Sequence, residues 1–78
     1  MDKQELYSYE LEELIDALEE RGLGWSIQHL NKELQAKVYD NNDQCISRYV
    51  AFNKFESLHF ILAEAMYQVD WTLYPVKK

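Results

Sequence analysis

Apolar residues recur every three to four positions near the start of this chain and every second position in its middle. Tyr7, Leu11, Leu14, Ile15 and Leu18 keep helical spacing. They predict a first helix over 9–21, or from residue 3 if it starts earlier. Ser8 can cap it, with Glu10 in the first turn, where the helix dipole favours an anion. The earlier start would use Asp2, with Glu5 three residues on. At the other end, Gly22 can take the left-handed conformation, and Leu23 can then fold back on Leu18 in a Schellman ending.

After Gly24 the period falls to two. Trp25 to Leu30 alternates, Asn31-Lys32 makes a short turn, and Glu33 to Tyr39 alternates with Leu34, Ala36 and Val38 on one face. Asp40-Asn41-Asn42-Asp43 is a second turn, built of residues that hydrogen-bond their own backbone. Cys45 to Phe52 predicts a third strand. Its inward face stays open, because Ile46 and Val50 share a side with Arg48, while Cys45, Ser47, Tyr49 and Ala51 share the other. Asn53-Lys54-Phe55-Glu56 has the pattern of a capping box and predicts a second helix over 54–69. Its apolar face is Phe55, Leu58, Ile61, Leu62, Ala65, Met66 and Val69.

The expected architecture is α/β of the α+β type: helix, three-stranded antiparallel meander, helix, with the helices covering the sheet. One domain spans 1–78, with a core over about 8–69 and a tail over 70–78. The expected core is Leu11, Leu14, Ile15, Leu18, Trp25, Ile27, Leu34, Ala36, Val38, Leu58, Ile61, Leu62, Ala65 and Met66.

Composition narrows the function classes. A chain of 78 residues has little core, so a disulfide, a metal or self-association usually helps it. Its one cysteine excludes an internal disulfide and fits a reducing compartment. Two histidines far apart, His29 and His59, do not make a zinc site. No apolar run reaches membrane length, and Met1-Asp2-Lys3-Gln4-Glu5 lacks the form of a secretory leader, so the expected location is the cytoplasm.

The net charge of −6 is unevenly held. Residues 1–21 carry eight acids and two bases, while residues 22–78 carry six of each. The order helix, three strands, helix is also that of the double-stranded-RNA-binding module, but such modules bind RNA through a first helix that is not acidic. Direct binding to nucleic acid or to an anionic membrane is therefore not expected.

Catalytic motifs are absent. No nucleophile elbow, phosphate loop or two-histidine zinc motif occurs. Cys45 has only Arg48 nearby in sequence, on the opposite strand face, and is expected to be a buried, inert thiol. The carboxylates of the first helix fall on a solvated face, where none is desolvated enough for acid catalysis. No cofactor, metal or enzymatic activity is expected.

Two surfaces remain. Glu12, Asp16 and Glu19, flanked by Glu13 and Glu20, form an acidic face that either keeps a small protein soluble or serves as an anion array. Neighbouring side chains on a helix lie roughly 5–6 Å apart, the scale of phosphate spacing on a nucleic-acid strand. Phe60, Tyr67 and Trp71 form an aromatic set on the second helix and beyond it. Either the tail folds back over them, or they form the interface of a homodimer or other partner.

The stretches "YSYELEELIDALEERGLGWSI", "AKVYD" and "YVAFNKFESLHFILAEAM" together resemble the phage ABA sandwich domain family, over roughly residues 7–68. The shared pattern is a Tyr-Ser helix start, a tryptophan-bearing strand, an Ala-x-x-Tyr-Asp strand end and an alanine-rich closing helix. At Asn53-Lys54-Phe55 such sequences more often carry Thr, Pro and Glu. The resemblance implies a phage or prophage origin and a layered α/β fold, and it implies no activity. The expected function is that of a non-catalytic interaction protein. It would act as an inhibitor whose acidic helix occupies a basic nucleic-acid-binding site on a host protein. The alternative is a structural or accessory phage protein that works as a homo-oligomer through its aromatic surface.

Overall fold

A hairpin with a two-residue turn organises the middle of the molecule. In the computed structural model, which describes residues 2–51 and 57–76, Asn31 and Lys32 both take positive φ, 52° and 66°. That is the type I′ geometry whose twist matches the flanking strands. It joins β1 (Gly24–Leu30) to β2 (Glu33–Tyr39), and a longer turn joins β2 to β3 (Cys45–Ala51). In that turn Asp40 accepts through Oδ1 from the N–H groups of Asn42 at 2.8 Å and Gln44 at 2.9 Å. The sheet order is β1-β2-β3, antiparallel throughout. Helices precede and follow it: α1 (Lys3–Ser8) and α2 (Leu11–Glu20), then α3 (Leu58–Tyr67) and a 3-10 turn, Trp71–Leu73. The expected order of helix, meander, helix is the order found.

Register resolves the face of β3. Val38 pairs with Ser47, Ala36 with Tyr49 and Leu34 with Ala51, so these six share the helix-covered side. Ser47 and Ala51 are buried there. The Ser47 hydroxyl donates to the Ala65 carbonyl of α3, which satisfies a polar group that burial would otherwise penalise. Arg48 points to the open face.

The first helix is divided. Asp2 caps α1 by accepting from the Glu5 N–H at 2.8 Å, so the earlier start is the correct one. Ser8 does not cap α2; it ends α1 and donates to the Glu5 carbonyl at 2.7 Å. Tyr9 is extended (φ −82°, ψ 146°). Glu10 then caps α2, its N–H donating to the Glu13 carboxylate at 3.0 Å. The break has a packing cause. On an unbroken helix Leu6 would sit about 80° from Leu14 and about 120° from Leu18 around the axis. The break lets all three be fully buried. The C-terminus of α2 is as expected: Gly22 has φ 72°, Gly22 N–H donates to the Glu19 carbonyl at 3.0 Å, and Leu23 N–H to the Leu18 carbonyl at 2.9 Å.

The helices form one layer over one face of the sheet. α3 packs on β2, β3 and α1, while α2 reaches α3 and β1. The largest fully buried side chains are Leu6, Leu14, Leu18, Val38, Ile61, Leu62 and Met66. Two expected core residues lie outside it: Trp25 is 37% exposed and Leu58 46%. Trp25 sits on an edge strand that α3 does not cover, and Leu58 is the first residue of its helix. Leu11, Ile15 and Ile27 are half-buried around the core. The capping pattern at 53–56, Phe52 and Phe55 fall outside the described residues. The tail folds back, with Trp71 and Tyr74 packed on the core and the Trp71 indole N–H donating to the Met66 carbonyl at 3.1 Å. Among the described residues, no helix is long and apolar enough to cross a membrane.

Candidate functional site

The acidic face of α2 is intact in three dimensions. Glu12, Glu13, Asp16, Glu19 and Glu20 are all exposed. No cation among the described residues forms an ion pair with them. Among the described residues the one ion pair is Lys3 with Glu64, at 3.2 Å, and it ties α1 to α3. The nearest base in sequence, Arg21, borders these acids without forming an ion pair: its Nη1 donates to the Ala17 carbonyl at 2.9 Å and its guanidinium stands 5.0 Å from the Trp71 ring centroid. Glu12 and Glu13 sit in the first turn, where the helix dipole stabilises anions. Glu19 and Glu20 sit in the last turn, where it opposes them; Arg21 at the C-cap offsets that end in part by donating to the Ala17 carbonyl.

Glu5, Tyr9, Glu13, Asp16, Ala17, Glu20 and Arg21 line a shallow open groove of about 380 Å³ between α1 and α2, so one cation borders the acids there. The Tyr9 hydroxyl donates to the Glu5 carboxylate at 2.8 Å. That hydrogen bond holds the phenol pKa above its ordinary value, helped by slight desolvation and by the charges of Glu5 and Glu13 and opposed by Arg21. Sequence reading missed this pair, although Glu5 and Tyr9 stand four apart, the spacing that brings helical side chains together.

Phe60 and Tyr67 lie in one cluster, joined through Tyr7 and Lys3, whose ammonium stands 5.7 Å from the Tyr7 ring centroid. Phe60 stacks on Tyr7, ring centroids 4.9 Å apart and planes at 18°. Tyr67 is 49% exposed, with the Lys3 ammonium 5.5 Å from its ring centroid. Trp71 lies on the Arg21 side, half-buried. Each of the three has its own partner within the chain.

The groups with potential chemistry are dispersed. His29 is exposed on β1, and His59 meets the Ser57 hydroxyl at 3.1 Å at the start of α3. Cys45 is exposed rather than buried, because it opens β3 beside the turn; its thiol donates to the Ser47 carbonyl at 3.3 Å. No group of metal-ligating side chains occurs among the described residues. No family model, curated protein or solved structure matches the chain.

Proposed function

We propose that this protein is a non-catalytic interaction module that docks the acidic face of α2 onto a basic surface of a protein partner. The observation that carries this reading is the exposed row Glu12, Glu13, Asp16, Glu19 and Glu20, unpaired among the described residues. A helix that needed only solubility would gain from lysines interleaved at i,i+4. Here Glu12/Asp16 and Asp16/Glu20 repel at that spacing, and Glu19 and Glu20 oppose the dipole. A basic partner removes both penalties on binding. The partner class that fits is a protein with a basic nucleic-acid-binding groove, and the phage-like sequence pattern makes a host cytoplasmic protein the natural target. In this reading the protein is an inhibitor that competes with nucleic acid and does not bind it.

Capture from host lysate on the immobilised protein tests this. Partners should elute as salt rises, because exposed charges are screened beyond a Debye length of about 8 Å at physiological salt. Nucleic acid should displace the protein from them. A variant with Glu12→Gln, Glu13→Gln, Asp16→Asn, Glu19→Gln and Glu20→Gln should capture none of them. Partners retained at high salt, or held equally by the neutralised variant, would overturn the reading.

A further inference from the structure

Among the described residues neither outer strand of the sheet pairs with a further strand, and of the two edges β3 is the protected one. On β3 the central residue is Arg48, so two β3 strands paired antiparallel about their centres would set Arg48 against Arg48. The Arg48 carbonyl is also taken, accepting from the Gln68 side-chain amide at 3.2 Å. These are the usual protections of an edge: a charge, and a side chain over the backbone.

β1 has neither. Its seven residues, Gly24 to Leu30, include no charge and no proline. The register shift in the sheet lies between β2 and β3, so β1 is regular along its length. The Leu30–Glu33 pair flanks the two-residue turn and exchanges both backbone hydrogen bonds. By alternation, the N–H and C=O groups of Trp25, Ile27 and His29 then point away from β2. Among the described residues, no loop or turn backbone group bonds to them. Trp25, His29 and Leu30 are exposed beside this edge.

We propose that β1 is a self-association edge. Two copies pair antiparallel through β1, about a two-fold axis at Ile27, and join their sheets into one. Register selects a second copy as the occupant. The chain carries a net charge of −6, which opposes contact between copies, yet β1 is the one strand of the three without a charged side chain. Pairing about Ile27 sets Trp25 opposite His29 of the second copy, Ser26 opposite Gln28, and Gly24 opposite Leu30. Aromatic meets aromatic, polar meets polar, and the bare glycine, which has Tyr39 beside it, faces the most exposed residue of the strand. The contact is isologous and closes as a dimer, with no edge of β1 left to extend it. It uses none of Phe60, Tyr67 and Trp71.

Sedimentation velocity over a concentration series, with hydrogen exchange on the same samples, tests the proposal. The full chain should pass from monomer to dimer as concentration rises. The Trp25, Ile27 and His29 amides should gain protection in step. Added salt should strengthen the dimer, since it screens the repulsion between acidic copies. His29→Pro removes an outward N–H at an edge position that tolerates proline, and should raise the dissociation constant at least tenfold. If circular dichroism shows that variant unfolded, Gln28→Lys serves instead, placing a new lysine from each copy beside the axis. The proposal is overturned by a wild-type chain that stays monomeric at the highest concentration reached. It is equally overturned by a dimer whose three amides exchange as fast as those of Asn31 and Lys32, or by one that the folded edge variant leaves unchanged.

Discussion

α2 and α3 are each ten residues long and pack against each other, yet they divide the work of the molecule between them. α3 buries Ile61, Leu62, Ala63, Ala65 and Met66 and carries one acid, Glu64, which is paired with Lys3. α2 buries only Leu14 and Leu18 and carries five acids, unpaired among the described residues. A helix packed on the middle of a three-stranded sheet must be apolar over much of its surface. A helix over the sheet's edge needs only a narrow stripe, and the rest of its surface is free to be used for something else. The contrast separates what holds the fold from what is available for recognition.

The largest test of that division is Leu62→Ala. Truncating a fully buried leucine costs about 2–5 kcal/mol through lost transfer energy and the cavity left behind. Against the ~5–15 kcal/mol of a typical domain, that loss should lower Tm by many degrees in a thermal melt. The acidic face itself should be unchanged. A variant that melts like the wild type would remove α3 from its central place.

A smaller effect, opposite in sign, is expected from Glu19→Lys with Glu20→Lys. Reversing two charges in the last turn of α2 gains a few tenths of a kcal/mol each at low ionic strength. Tm should rise by a few degrees in dilute buffer and by less in high salt, while capture of a basic partner is lost. Stability that falls instead would mean these acids serve the fold, and the comparison with α3 would break.

The smallest effect concerns Tyr9, where α1 gives way to α2. Its phenol has a folded pKa raised above the ordinary 10.0, chiefly because it donates to Glu5. The stability this contributes is full below the unfolded pKa and is lost as pH rises through the folded one. Ultraviolet titration should therefore show one tyrosine ionising late, and Tyr9→Phe should remove that component. An unchanged titration curve would show that the bond to Glu5 does not persist in solution.

Where local chemistry decides a feature, this chain is legible. Gly22 and Leu23 specify the end of α2, Asn31-Lys32 the hairpin, and Leu34, Ala36 and Val38 the buried face of β2. Position within the layers is harder to read. Trp25 matches Leu34 in hydrophobicity, but only the register places it on an edge strand where one helix partly covers it. The face of β3 depended on Ser47, a polar residue that is buried because the Ala65 carbonyl waits for its hydroxyl. The break at Tyr9 follows from Leu6, whose need to reach the core is not visible in the spacing of Leu11, Leu14, Ile15 and Leu18. The acidic row is plain from spacing alone; that Arg21 stacks on Trp71 and forms no ion pair with those acids among the described residues is not.

The clamp between α1 and α3 sets an order of events for the folding chain. Every strand of the sheet pairs with its neighbour in sequence, across short turns. Lys3 with Glu64 and Tyr7 with Phe60 instead join segments about fifty to sixty residues apart, and so carry the largest loop-closure entropy in the molecule. The meander can zip from local contacts, but the two ends can meet only once the intervening chain is already short in space. Closing α1 over α3 should thus be a late step and its reversal an early one: in hydrogen exchange under mild denaturant the α1 amides should lose protection before those of β2, and equal loss in both would set this order aside.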